Sequence, residues 1–302
     1  MDSKLDWVYR KGELSRGDWD TYLDPTEGKI KGWAHTGVRT ATLTAGKVLT
    51  IEPGKIERLI WPLDGEGLTV TYKSKDEAGS FNLRGRKSVF HGTTDLVYIP
   101  INSEISISGS GRVIVAEAPA TNHKPVKFLS RDSFPNVIRG AGPESRQIHD
   151  FGGVQALDAD RFLVVEVIVP AGNWSGIPPH KHDIYIPGIE SNLEEIYYFE
   201  IAPERDGITP TNSDPKGIFR GYTADDRPYD VTTEVRSGDV VLVPYGWHGP
   251  IGAAPSYDMY FMNVMAGPDP ERVWNFTDEP GHAWIRETWK GKAPDPRLPY
   301  AE

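Results

Sequence analysis

Two imidazoles stand two positions apart in the stretch PAGNWSGIPPHKHD (Pro170 to Asp183), at His180 and His182. In an extended chain, residues i and i+2 project to the same face, so both rings can reach one point, as a chelating pair for a metal ion would. Two surface histidines in a loop would read the same way, and a short motif stays a hypothesis until its surroundings supply further ligands. Two downstream segments offer them. Glu194 and Glu195 open the strand-like run LEEIYYFEI, and His248 lies in PYGWHGP, after the apolar run Val240 to Val243. Strand alternation allows only one glutamate to face a barrel interior: Glu195 with Tyr197 and Phe199, or Glu194 with Ile196 and Tyr198. Prolines fix φ and glycines permit a tight bend, so the turn around His248 should hold its ring in place. Three histidines and one carboxylate leave one or two positions open to water or substrate, the layout of a catalytic metal rather than a structural one.

The elements that must carry these residues read as strands. The chain has 31 glycines and 25 prolines among many short Val, Ile and Leu runs, the pattern of an all-β sandwich or barrel. From Thr40 the runs TATLTAG, VLTIEPG, RLIWPLDG, GLTVTYK and DLVYIP follow one another, and Leu68 to Tyr72 alternates apolar with polar residues as a half-buried strand does. Residues 1 to about 30 read as an extended lead-in packed on a neighbouring sheet, and residues 119 to about 150, rich in Pro, Gly and charge, as a connector. The second half repeats the logic from RFLVVEVIVP onward. Asp95 to Pro100 (DLVYIP) matches Asp239 to Pro244 (DVVLVP) in residue class at every position. A repeat of this kind signals one supersecondary unit used twice. We therefore expect two β-barrel or jelly-roll domains, residues 1–150 with a degenerate site and residues 151–302 with the metal site.

Composition narrows the function. At 302 residues, with 38% hydrophobic and 25% charged, the chain can bury a full core. A net charge of -10 argues against nucleic-acid or anionic-membrane partners, though one local Arg or Lys could still hold an anionic substrate. Without cysteine there is no disulfide or thiolate chemistry, which leaves His and carboxylate as the strong metal ligands. The start, MDSKLDWVYRKGE, lacks the apolar stretch of a signal peptide, and no window approaches the ~20 apolar residues of a membrane helix, so a cytoplasmic protein is expected.

HKH, the strand glutamate and GDVVLVPYGWHGP together resemble the two halves of a cupin metal motif. The interval from His182 to Glu195 is longer than in an ordinary cupin, and the step from Pro-x-Gly to His248 is one residue shorter. With PPHKHD, LEEIYYF, YDMYFMNVMAGP and DEPGHAWI, these departures make the chain resemble the 5-deoxy-glucuronate isomerases of inositol catabolism. These are bicupins related to the 4-deoxy-5-ketouronate isomerases of pectin breakdown. The resemblance covers about Pro170 to Trp284; the first half fits by strand pattern and by its place in a bicupin. It implies a metal-dependent aldose–ketose isomerase converting 5-deoxy-glucuronate to 5-dehydro-2-deoxy-gluconate. Its metal would be divalent, zinc or manganese, on His180, His182, Glu195 and His248, and Glu195 is the preferred carboxylate.

That chemistry asks for a Lewis acid at the carbonyl and a group to carry a proton between neighbouring carbons. Glu194, Tyr245, Tyr260 and Lys181 are candidates for the second task, although Lys181, of opposite parity to its flanking histidines, also reads as a solvated lysine. Arg220 and Lys181 could hold the substrate carboxylate, Trp247 could line the pocket, and Asn263 could bond a hydroxyl. Arg146 and Arg236 read as surface ion-pair partners, and His35, His91, His123, His149 and His282 as non-ligands. Competing readings are a cupin dioxygenase and a non-catalytic sugar-acid-binding barrel. A homo-oligomer through strand edges and the aromatic tail Trp284 to Tyr300 is a further expectation.

Overall fold

The structure, a computed structural model, describes residues 7–300 apart from 206, 209 and 226; the first six residues of the lead-in lie outside it. The first half contributes β1 (Val8–Tyr9), β2 (Thr21–Leu23), β3 (Gly37–Leu43), β4 (Val48–Ile51), β5 (Ile56–Pro62), β6 (Gly67–Lys73), β7 (Ala78–Arg84), β8 (Leu96–Ile99), β9 (Glu104–Pro119) and β10 (Lys127–Leu129). Then come β11 (Val137–Arg139), β12 (Arg146–Asp150), β13 (Leu163–Val169), β14 (Trp174–Ser175), β15 (His180–Lys181), β16 (Asp183–Ile186) and β17 (Glu190–Asn192). The last strands are β18 (Glu194–Pro203), β19 (Gly217–Ala224), β20 (Arg227–Val235), β21 (Val240–Val243), β22 (Trp247–Ala253), β23 (Tyr257–Ala266) and β24 (Thr277–Asp278). The described helices are three short 3-10 turns, so the all-β expectation holds.

Two sheets repeat one order. In the first, β8-β5-β9-β3-β2 lie side by side; in the second, β21-β18-β23-β13-β12 do. The DLVYIP and DVVLVP runs are thus equivalent strands, β8 and β21. Segments cross between the halves: β1 pairs with β21, and β11 and β12, within the stretch read as a connector, extend the second sheet beside β13. Period-two patterning in RQIHD is masked by polar side chains, which explains why these strands were not recognisable.

Alternation sorts the side chains into three cores. Leu43, Ile60, Val97, Ile107 and Val115 fill the first barrel, and Tyr197, Phe199, Phe219, Val241 and Phe261 pack in the second. The opposite faces of the same strands, among them Leu59, Tyr98, Ile196, Tyr198, Leu242 and Tyr260, meet in a third core between the halves. One ion network is buried in this seam: the Arg86 guanidinium meets Glu166 at 2.8 Å, both side chains fully buried, and Glu166 also reaches His149 Nδ1 at 2.7 Å.

Strand register reveals a reciprocal joint. Arg58 stands opposite Ile99 as Glu195 stands opposite Val243, so Glu57 corresponds to Glu194. The Glu57 carboxylate accepts from the backbone N–H groups of Asp160, Arg161 and Phe162, just before β13. Glu194 accepts from those of Ala34 and His35, just before β3, at 2.8 Å each. Each half therefore satisfies the backbone of the other, as buried N–H groups require. In the first barrel, the position matching Glu195 is Arg58, locked with Arg39 onto Glu117.

Candidate active site

The second barrel opens into a cavity walled by Val165, Val167, Tyr197, Phe261 and Asn263. His180 and Glu195 line it, and His182 and His248 converge on them. β15 pairs with β22 so that His180 lies directly opposite His248. His182, two residues on, brings its ring centroid to 4.8 Å from that of His248. One ring nitrogen from each of His180, His182 and His248 lies within 4.8 Å of the others. Gly249, at φ +101°, lets the Gly176 backbone pack close against β22, because a Cβ there would come within 2.1 Å of the Gly176 carbonyl oxygen.

Each Nδ1 faces a backbone carbonyl: Pro178 at 3.4 Å for His180, Leu193 at 3.2 Å for His182 and Gly246 at 3.3 Å for His248. A carbonyl oxygen only accepts, so Nδ1 carries the proton and the lone pair of a neutral ring falls on Nε2. Carbonyls that fix a ring in this way are the usual support of a metal-ligating histidine. Glu195 supplies the fourth donor, with Oε2 3.1 Å from Nε2 of both His182 and His248. The buried His248 Nε2 is near enough for an ion pair but not aligned for a hydrogen bond, and it has no other partner. Burial and the neighbouring rings hold His180 well below its usual pKa, while the Glu195 carboxylate raises that of His182 and is itself held low by the two imidazoles. In metal-free protein His182 Nε2 hydrogen-bonds the Glu195 carboxylate; a divalent cation would take the place of that proton, with three Nε2 atoms and one carboxylate as its donor set.

Glu195 rather than Glu194 faces this cluster. Glu194 points into the seam between the halves, where burial pushes its carboxyl up to about 7 despite the N–H groups of His35 and Ala34. The other residues considered for proton transfer also lie elsewhere. Tyr260, on the seam side of β23, has the Arg86 guanidinium over its ring at 5.8 Å. Tyr245 donates to the Pro228 carbonyl and lies under Arg227. Lys181 is buried, not solvated: its ammonium donates to Asp183 at 2.7 Å and Glu190 at 2.9 Å, anchoring the strand between the two histidines. Trp247 flanks this ammonium, its ring 5.8 Å from Nζ, and does not line the cavity. Arg220 is tied to Asp230 and to the Gly221 carbonyl, outside the cavity. Asn263 does line the cavity, beside Tyr197 and Phe261.

The walls hold residues that the motifs did not indicate. Arg139 and Arg146 stand opposite each other on β11 and β12, and Arg286 reaches in from the 3-10 turn Ala283–Trp289, paired to Asp278. Arg146 is not the surface ion-pair partner expected of it, being only 8% exposed. It shares the strand face of Ile148, which the pairing of β12 with β13 turns toward the barrel interior. Arg236 does pair at the surface, with Asp214 and Glu234. The end of the aromatic tail packs on its own chain, with the Tyr300 N–H donating to Gln147 Oε1 and its hydroxyl to Asp258.

Residues 7–285 match the model of the KduI/IolB family. A 5-deoxy-glucuronate isomerase of Geobacillus thermodenitrificans is 37% identical over 260 residues, covering 85% of this chain and 88% of its own length. The 5-deoxy-glucuronate isomerase of Bacillus subtilis strain 168 is 36% identical over 249 residues, 81% of this chain and 85% of its own. Among solved structures, an IolB-like protein of Salmonella typhimurium LT2 superposes with a TM-score of 0.78 at 32% identity, covering 92% of this chain and 98% of that one. Oxalate decarboxylase of Lactobacillus farciminis, a cupin, matches with a TM-score of 0.61 at 10% identity over 90% of this chain and 88% of its own, a likeness of fold alone. With a cupin-type fold, a His-lined cavity and relatives named as isomerases over most of its length, this chain belongs to the KduI/IolB family and is an isomerase.

Proposed function

We propose that the chain is a metal-dependent aldose–ketose isomerase that converts 5-deoxy-glucuronate to 5-dehydro-2-deoxy-gluconate in inositol catabolism, in the cytoplasm. The observation that carries this reading is the convergence of three imidazole rings on the Glu195 carboxylate, with His180 and Glu195 lining a cavity that has cationic walls. His180, His182, Glu195 and His248 would hold a divalent ion, zinc or manganese, and when bound it supplies Lewis acidity to the carbonyl and enediolate oxygens. Glu195 is the one carboxylate among the described residues lining the cavity, so exchange of a proton with the substrate carbon falls to it. Asn263 and Tyr197 offer hydrogen bonds to substrate hydroxyls, and the apolar rings of Phe261, Trp274 and Phe276 exclude water around them. The degenerate first barrel, its matching position occupied by Arg58, serves as scaffold. A homo-oligomer remains part of the proposal.

The deciding experiment is metal analysis of purified protein together with an anaerobic NMR assay on 5-deoxy-glucuronate, before and after His180→Ala. Conversion without oxygen, lost on chelation and in the variant, supports the isomerase. Turnover that appears only when oxygen is admitted would favour a dioxygenase, and binding without turnover a non-catalytic sugar-acid-binding or storage barrel. Full activity after thorough chelation would remove the metal from the mechanism.

A further inference from the structure

Arg146 is an unusual cation for this protein. It is buried, yet the polar contact that the structure gives its guanidinium is one hydrogen bond to the Glu144 carbonyl at 3.2 Å, out of five available N–H donors. Its plane lies near the Trp289 ring, 5.5 Å from the centroid, and the Trp289 indole N–H is itself held by the Glu144 carboxylate. Among the described residues Arg146 forms no ion pair: the Glu144 carboxylate acts on it only from a distance, held on the Trp289 indole N–H. Instead Arg139 stands across the strand pair and Arg286 approaches from the C-terminal segment, so like charges surround it. Burial, then repulsion from Arg139 and Arg286, pushes its pKa down to about 10. Elsewhere in the molecule buried arginines are neutralised: Arg86 by Glu166, and Arg39 and Arg58 by Glu117. A buried charge without a counter-charge is costly, and a protein of net charge -10 has carboxylates in plenty to offset one. Of the three guanidinium groups in the cavity, Arg286 already has Asp278. Arg139 and Arg146, neither in an ion pair among the described residues, line the same cavity as His180 and Glu195.

We infer that Arg146, supported by Arg139, is the seat of the substrate's carboxylate, a fork for a sugar acid bound with its other end toward the histidines. The inference rests on the reading of the cavity as a sugar-acid site and adds the residue that selects acid over neutral sugar. A bidentate guanidinium–carboxylate pair fixes both position and orientation, which a lysine in its place would not do. With the acid end held there, the carbonyl end of an open-chain substrate is directed to the histidine cluster.

The test is equilibrium binding to the metal-loaded protein by calorimetry, using D-gluconate as an inert open-chain acid and sorbitol as its neutral counterpart, beside kinetics on 5-deoxy-glucuronate. Wild type should bind gluconate and discriminate against sorbitol. Arg146→Met should weaken gluconate binding by about 10²-fold, leave sorbitol unchanged, and raise KM far more than it lowers kcat, at unaltered metal content. Arg146→Lys should recover only part of the loss. Arg139→Glu, at an exposed position, keeps the inference testable should Arg146→Met fail to fold, and should weaken gluconate binding about tenfold or more. Gluconate bound equally well by wild type and by folded Arg146→Met, or by Arg139→Glu, overturns the inference, as does a wild type that binds no gluconate. Arg146-dependent binding of gluconate with no isomerisation of 5-deoxy-glucuronate would instead leave the carboxylate seat standing and sink the proposed reaction.

Discussion

Glu195→Gln is the sharpest perturbation of the proposed metal site, because it keeps the shape of the side chain and removes only its charge. The Glu195 Oε2 atom lies 3.1 Å from two imidazole nitrogens, so a cation among them would feel nearly the full carboxylate. At an effective dielectric near 20, a pair of unit charges at such a separation interacts by about 5 kcal/mol. The amide oxygen that remains recovers part of this, leaving about 3 kcal/mol, or ~10²-fold in metal affinity. The loss can be read without any activity assay. At free metal 1,000 times the wild-type Kd, binding stabilises the fold by about 4 kcal/mol; a variant with 100-fold weaker affinity retains about 1.4 kcal/mol at the same concentration. The difference of about 2.7 kcal/mol corresponds, for a chain of 302 residues, to a metal-induced rise in Tm smaller by ~4 °C. Differential scanning fluorimetry across a zinc and a manganese titration measures it. Equal metal-induced shifts in the variant and the wild type would refute the assignment of Glu195 to the metal.

Further predictions follow from the same geometry. In metal-free protein Glu195 raises the His182 pKa, so their ion pair contributes stability that is fully present below pH 6.5 and lost as pH rises through the raised value; this slope in urea midpoint against pH should flatten in Glu195→Gln. Lys181→Met should destabilise by about 3–5 kcal/mol, since it leaves buried Asp183 and Glu190 without their ammonium; an unchanged denaturation midpoint would contradict the buried cluster. Glu57→Ala should cost about 3 kcal/mol or more by orphaning the N–H groups of Asp160, Arg161 and Phe162 between the halves, with calorimetric unfolding as the readout. Tyr260→Phe should keep kcat within about twofold, because its hydroxyl lies in the seam and not in the cavity; a loss of ~10²-fold would show that the seam side takes part in the chemistry.

The sequence alone determined the β architecture, since alternating apolar residues broken by Gly and Pro have few other ways to bury their surface. It also determined the histidine cluster: His180 and His182 share a face in any extended chain, and the matching DLVYIP and DVVLVP runs marked the strand that leads to His248. The choice between Glu194 and Glu195 belonged to the tertiary structure. β18 is buried on both faces, one against the barrel interior and one against the other half, so from Glu194 through Ile201 no exposed side identifies the inner one. The cationic wall was equally hidden. Arg139, Arg146 and Arg286 are far apart along the chain and carry no motif; strand pairing and the returning C-terminal segment bring them into one cavity. In sequence a lone arginine implies a solvated charge, and only the packing around Arg146 shows it buried in the cavity wall beside Arg139 and Arg286.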